Sequence, residues 1–228
     1  RRYTFKNYQK IGVAIHLNQS NSISDIYSKV KNFPDFIHVD LIDETYNSEN
    51  ISIDIEMLNK IRELWPQKKL QIHLMSKNPS LWINQLPKSR NTEVFFHYDE
   101  NVDIEQTSSL ILSKNFIPGV VLHNQISESQ IIELMNSFSN FMVLCVDKAG
   151  FSGQVFQNKY SDLINELIKV TEQLNDVKIT LDGGITPKIA SKFNVQEVVS
   201  ASSILNDEDS KKQIINFQTS QKYEDSEK

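Results

Sequence analysis

Short runs rich in β-branched and aromatic residues alternate along this chain with longer stretches whose apolar positions recur at helical spacing. The runs that read as strands are Ile11 to Ile15, Phe36 to Leu41, Leu70 to Leu74, Val94 to His97, Gly119 to Leu122, Phe141 to Val146, Lys178 to Asp182 and Glu197 to Ala201. Between them, Ile55 to Leu64, Ile104 to Ser113, Glu128 to Phe138 and Tyr160 to Leu174 read as amphipathic helices, the last with Leu163, Ile164, Leu167 and Ile168 at helical spacing. Helix starts are marked by Pro79 after Asn78, by Ser127 with Gln130 three residues on, and by Pro187 after Thr186. Strands alternating with helices build parallel βαβ units, and eight of each predict an α/β fold, a (β/α)8 TIM barrel in a single domain. A doubly wound open sheet shares this periodicity. The polar residues separate the two: His38 with Asp40, His73, His97, His123 and Asp182 fall at or just past the C-terminal ends of several strands. Barrel enzymes assemble their sites there, whereas an open sheet gathers its ligand groups at one switch point.

The 228 residues suffice for one sizeable core, with 39% hydrophobic and 23% charged. Neither a repeat nor a low-complexity linker interrupts residues 10 to 215. The barrel is expected over 11–217, after an N-terminal extension at 1–10 and before a polar tail or linker at 218–228. The first residue is Arg1 and the first methionine Met57, as expected of a trimmed protein or a domain cut from a longer polypeptide. A net charge of -5 with scattered Lys and Arg argues against nucleic acid as a partner. No apolar run approaches the roughly 20 residues that span a bilayer. Cys145 stands alone, which excludes an intrachain disulfide and a Cys-rich zinc site; with no signal-like start, a cytoplasmic location is expected.

His38 and Asp40 lie two apart on one strand, so both side chains leave the same face, toward the barrel axis. With His73 and Asp182 they make two imidazoles and two carboxylates, a set that suits one divalent cation per chain, zinc ahead of manganese, iron or cobalt. A single strand-end histidine is more often a hydrogen-bonded neighbour than a ligand; four such groups on three strand ends argue for a site. Two carboxylates beside a cation can remove a carbon-bound proton and return one, which on opposite faces of a planar enediolate is epimerisation, with Asp40 and Asp182 as the catalytic pair. Small-residue turns late in the chain offer backbone N–H groups to a phosphate: Gly150 to Gln154 with Gly153, Asp182 to Ile185 with Gly183 and Gly184, and Ala201 with Ser202 and Ser203. Four of the 6 glycines fall in the first two turns, so their clustering carries information that a single Gly-Gly pair would not. His16, His97 and His123 carry no assigned role, Asp43 and Glu44 read as solvated loop acids, and Cys145 is expected to pack near the end of the sixth strand.

In order along the chain, His38-Val39-Asp40-Leu41-Ile42-Asp43, Ile72-His73-Leu74-Met75 with Asn78-Pro79, Phe96-His97, Gly150 to Phe156, and Leu181-Asp182-Gly183-Gly184-Ile185 resemble motifs of the ribulose-phosphate 3-epimerase family. The resemblance runs from residue 10 to about residue 206. It implies reversible interconversion of ribulose 5-phosphate and xylulose 5-phosphate, with His38, Asp40, His73 and Asp182 as metal ligands and the two aspartates as acid and base. It also implies a phosphate grip at Gly153, Gly183, Gly184 and Ser202, Met75 beside the reacting carbons, and a homo-oligomer. The chain departs from the family at Val13-Ala14-Ile15-His16, where a serine is replaced by Ala14, and at Ile42, Glu44, Lys148-Ala149 and Ala201. These changes leave the ligands intact and alter the rim. Two alternatives follow: an epimerase of another ketose phosphate, such as a hexulose 6-phosphate or the substrate of a domain within a larger chain supplying a surface-polymer sugar precursor, or a non-catalytic sugar-phosphate-binding barrel.

Overall fold

The eight expected strands form and pair in chain order, all parallel, until β8 closes on β1. A computed structural model describes residues 8–16 and 21–220. The strands are β1 (Lys10–His16), β2 (Phe36–Ile42), β3 (Lys69–Met75), β4 (Thr92–His97), β5 (Ile117–Leu122), β6 (Asn140–Leu144), β7 (Lys178–Asp182) and β8 (Glu197–Ser200). Around them lie the helices α1 (Ile23–Val30), α2 (Met57–Leu64), α3 (Pro79–Ile83), α4 (Ile104–Ser113), α5 (Glu128–Leu134), α6 (Ser161–Thr171), α7 (Pro187–Ala190), α8 (Ser202–Leu205) and α9 (Ser210–Thr219). The chain is a single-domain (β/α)8 TIM barrel. Residues 1–7 and 221–228, most of the expected extension and tail, lie outside the described residues.

The helix starts follow the expected chemistry with differences at the ends. Ser127 and Gln130 form a reciprocal capping box at α5, and Thr186 caps α7 ahead of Pro187. Pro79 opens α3, although Asn78 makes no side-chain cap. Helix α2 begins at Met57 rather than Ile55, because Asp54 Oδ1 accepts from the backbone N–H of Glu56 and sets a turn before the helix. Helix α5 stops at Leu134; Phe138 keeps its apolar spacing but is buried from a run of turns. The stretch before α6 is a short 3-10 turn, Asn158–Tyr160.

Strand pairing explains where the polar side chains meet. Residues in register across a parallel pair face the same side, and here one row runs His16, Asp40, His73, Phe95 while the row below it runs Ala14, His38, Gln71, Glu93. Both rows face the axis, as in the layered interior of such barrels. Gly119 completes the packing: a Cβ there would come within 2.5 Å of the Phe95 ring, so its missing side chain makes room for that ring inside the barrel. Toward the N-terminal ends of the strands, Lys69 and Lys178 converge on the buried Glu93 and Glu197. The apolar core lies mainly outside the barrel, between strands and helices, where Ile37, Val39 and Leu41 of β2 meet Trp65 and the α1 and α2 faces.

Candidate metal centre

Four ligand atoms from three strands converge at the C-terminal mouth: His38 Nε2, His73 Nδ1, Asp40 Oδ1 and Asp182 Oδ2. His38 Nε2 lies 3.0 Å from Asp40 Oδ1 and 3.4 Å from Asp182 Oδ2; His73 Nδ1 lies 3.0 and 3.3 Å from the same two oxygens. Cation–ligand bonds of about 2.0–2.1 Å separate adjacent ligands by about 3 Å, so the observed spacings fit a small divalent ion. A second observation points the same way. His73 Nδ1 is buried, faces two carboxylates and has no hydrogen-bond partner of its own. A buried nitrogen is rarely left so; a cation would use its lone pair. The residues therefore fit a metal, which they could hold through two nitrogens and two oxygens.

Both imidazoles are held from behind, which selects the nitrogen each turns to the site. His38 Nδ1–H donates to Gln71 Oε1 at 2.7 Å, leaving Nε2 with its lone pair inward. For His73 to keep Nδ1 bare, its Nε2–H donates to His97 Nε2 at 2.8 Å, and His97 Nδ1–H donates to the Tyr46 hydroxyl at 2.6 Å. Burial, with His73 and His123 alongside, pushes His97 well below the usual histidine range, so it is neutral and can accept.

The charges are consistent with a cation site. Burial would raise the Asp182 carboxyl, but His38 and His73 outweigh it and hold it down to about 2; burial also opposes ionisation of Asp40, which His16 and His38 hold well below the usual carboxylate range. Without a metal, burial works against a charged His38, yet the Asp40 and Asp182 charges overcome it and raise its affinity for a proton well above normal. A proton thus competes with a cation for that nitrogen.

The cavity over this centre is about 530 Å3 with its open mouth included and runs from His16, Asp40 and His73 past Asp182 to the late turns. Met75, Gly150, Gly153, Gly183, Gly184 and Ser202 all line it. Ser203 does not; its hydroxyl turns to α9 and accepts from Gln213 Nε2 at 3.1 Å. Gly184, at φ 68°, brings its turn so close to the segment after Gly153 that a Cβ would sit 2.1 Å from the Phe156 backbone nitrogen. Asn47 and Asn50, after β2, donate to the carbonyls of Ala149 and Gly150 and tie that turn across the mouth.

One expectation changes. Asp43 is not solvated: it is 5% exposed and accepts from Thr45, Ser76 and Trp82 Nε1, the last at 2.7 Å. Glu44 is exposed. His123 is packed structurally, stacked on Tyr160 and donating to the Val146 carbonyl at 2.7 Å. Gln71 and Tyr46 are functional neighbours that no motif marks, although Gln71, two before His73 on one strand, shares its face.

A sequence profile of the ribulose-phosphate 3-epimerase family matches residues 10–205. The chain belongs to that family. It is 28% identical over 177 residues to the ribulose-phosphate 3-epimerase of Aquifex aeolicus, covering 77% of this chain and 76% of that relative. It is 27% identical to the cytoplasmic isoform of Oryza sativa, at 75% of each chain. The proteins so named are isomerases acting on carbohydrate phosphates. Among solved structures, the 3-keto-L-gulonate-6-phosphate decarboxylase of Vibrio cholerae superposes with a TM-score of 0.67 at 12% identity, over 94% of this chain and 97% of that one. That likeness is one of fold. No helix among the described residues is long and apolar enough to cross a membrane.

Proposed function

We propose that this chain is a metal-dependent 3-epimerase interconverting D-ribulose 5-phosphate and D-xylulose 5-phosphate. The observation that carries the reading is the buried quartet of His38, Asp40, His73 and Asp182 at the base of a cavity ending in glycine-bearing turns. A bound divalent ion, zinc ahead of manganese, iron or cobalt, would supply positive charge that offsets the oxyanion of an enediolate. Asp40 and Asp182 act as the acid/base pair: one removes the proton from C3, the other returns a proton to the opposite face, and the roles exchange in the reverse direction. His38 and His73 stay neutral and hold the ion in place. Backbone N–H groups at Gly153, Gly183 and Gly184, with the Ser202 hydroxyl, bind the phosphate; Gly150 shapes the turn beside them and Met75 shields the reacting carbons. Ser203 supports this turn from behind. The small ketose phosphate is the expected partner, in a cytoplasmic homo-oligomer without nucleic acid or membrane.

The test is incubation with ribulose 5-phosphate in heavy water with zinc or manganese present, following deuterium at C3 and the appearance of xylulose 5-phosphate. Absence of exchange in every metal-loaded sample sinks the reading. One feature supports a different ketose phosphate: Ala14 and His16 line the cavity on β1, so the rim lacks a hydroxyl and gains an imidazole. A panel that includes a hexulose 6-phosphate separates the two substrates.

A further inference from the structure

The two oxygens of Asp40 have different surroundings. Oδ1 lies 3.0 Å from both His38 Nε2 and His73 Nδ1, within the ligand set. Oδ2 lies 3.1 Å from His16 Nε2. His16 is the register partner of Asp40 across the β1–β2 pair, on the same inward face, and it lines the cavity. Its side chain is 14% exposed, whereas those of His38 and His73 are fully buried. It lies outside the four-residue ligand cluster.

We propose that His16 is a positioning residue for Asp40, its Nε2–H donating to Oδ2 so that the carboxylate presents one oxygen to the metal centre and the other to substrate. The torsion that turns a carboxylate plane is soft, so Asp40 needs a second anchor to hold one orientation. Without it, Asp40 is free to turn both oxygens toward the cation, which would remove the oxygen that takes a carbon-bound proton. A carboxylate oxygen that accepts one hydrogen bond still keeps a lone pair for that proton. This inference rests on the epimerase reading of the same site.

The test compares zinc-loaded wild type with His16→Leu, which removes the donor, and His16→Gln, whose amide reaches about as far as Nε2. A charge-assisted hydrogen bond of this kind predicts a loss of about 10- to 100-fold in kcat for C3 exchange in His16→Leu. KM stays unchanged, zinc affinity, read by chelator competition, does not fall, and His16→Gln recovers most of the rate. Full activity in His16→Leu overturns the proposal; so does a loss of zinc affinity, which would make His16 a ligand. Nitrogen-15 NMR of the zinc-loaded wild type reads the bond without any turnover: a protonated Nε2 on His16 supports the proposal and a bare Nε2 overturns it. A wild type that exchanges nothing refutes the epimerase reading, while the nitrogen spectrum still decides His16.

Discussion

His38 turns Nε2 to the site because Gln71 Oε1 holds its other nitrogen at 2.7 Å, and that amide in turn lies near Glu93, Thr180 and Glu197. Replacing Gln71 by Leu leaves the His38 Nδ1–H without an acceptor and frees the ring to rotate. Zinc affinity is expected to fall by about 10- to 100-fold, measured by chelator competition. Tyr46→Phe acts one bond further away, through His97, and should cost less. The same geometry sets a pH dependence. In the metal-free protein the Asp40 and Asp182 charges, acting against burial, raise His38 well above its ordinary value. Ligation needs the bare nitrogen, so zinc loading competes with the proton on this ring and releases it. Affinity therefore rises with pH until the raised His38 value is passed. Calorimetry at pH 7 in two buffers of different protonation enthalpy checks it; equal apparent enthalpies would rule it out.

Asp43 shows how one buried carboxylate joins two loops into an element. Burial alone would raise it, but the hydrogen bonds from Ser76, Thr45 and Trp82 outweigh burial and keep it below its ordinary 3.8. A depressed carboxyl stabilises the fold fully above its unfolded value, and that contribution is lost as pH falls through the lower folded value. Asp43→Asn should cost about 2–3 kcal/mol at pH 7 by turning an amide N–H toward existing donors, and should flatten stability against pH in the acid range. Urea melts at pH 7 and pH 3 test both effects. Asp43 departs from the expected solvated acid because its donors Ser76 and Trp82 lie 33 and 39 residues away, and no local pattern announces that they fold back. His38, Asp40 and His73 were legible for the opposite reason: alternation on a strand fixes the face, and the parallel register then brings neighbouring strands' residues into one row. Helix α4 matched its expected ends because Asp103 caps it and the apolar spacing stops with it. The start of α2 did not, since the Asp54 turn competes with the helix. Ser203 shares its short turn with Ser202, but only Ser202 faces the cavity, a difference of direction that composition does not encode.

At the scale of the molecule, a closed barrel has no free sheet edge, so its interior must be filled from opposite walls. Below the metal centre that filling is ionic. Glu197 of β8 and Glu93 of β4 both meet Lys69 of β3 and Lys178 of β7, which links four strands. Burial would raise the Glu197 carboxyl, but the two lysines outweigh it and hold it below the usual range. Glu197→Gln removes one buried charge from a balanced set of two acids and two bases, and the remaining interior charges are then unequal. Breaking such a pair from one side costs about 3–5 kcal/mol because the charges left behind stay buried, whereas Lys159→Met, which breaks an ion pair with Asp147 whose side chains are 61% and 54% exposed, should leave the melt nearly unchanged. For a domain of this size the Glu197 variant should melt roughly 10 °C lower. Zinc affinity should fall only slightly, because Gln71 retains Glu93 and Thr180 as neighbours and still presents its carbonyl oxygen to His38. Calorimetric melts of the two variants, paired with chelator competition, separate the structural load of the barrel floor from the metal centre above it. Equal losses from Glu197→Gln and Lys159→Met would show that burial does not set the energetics there.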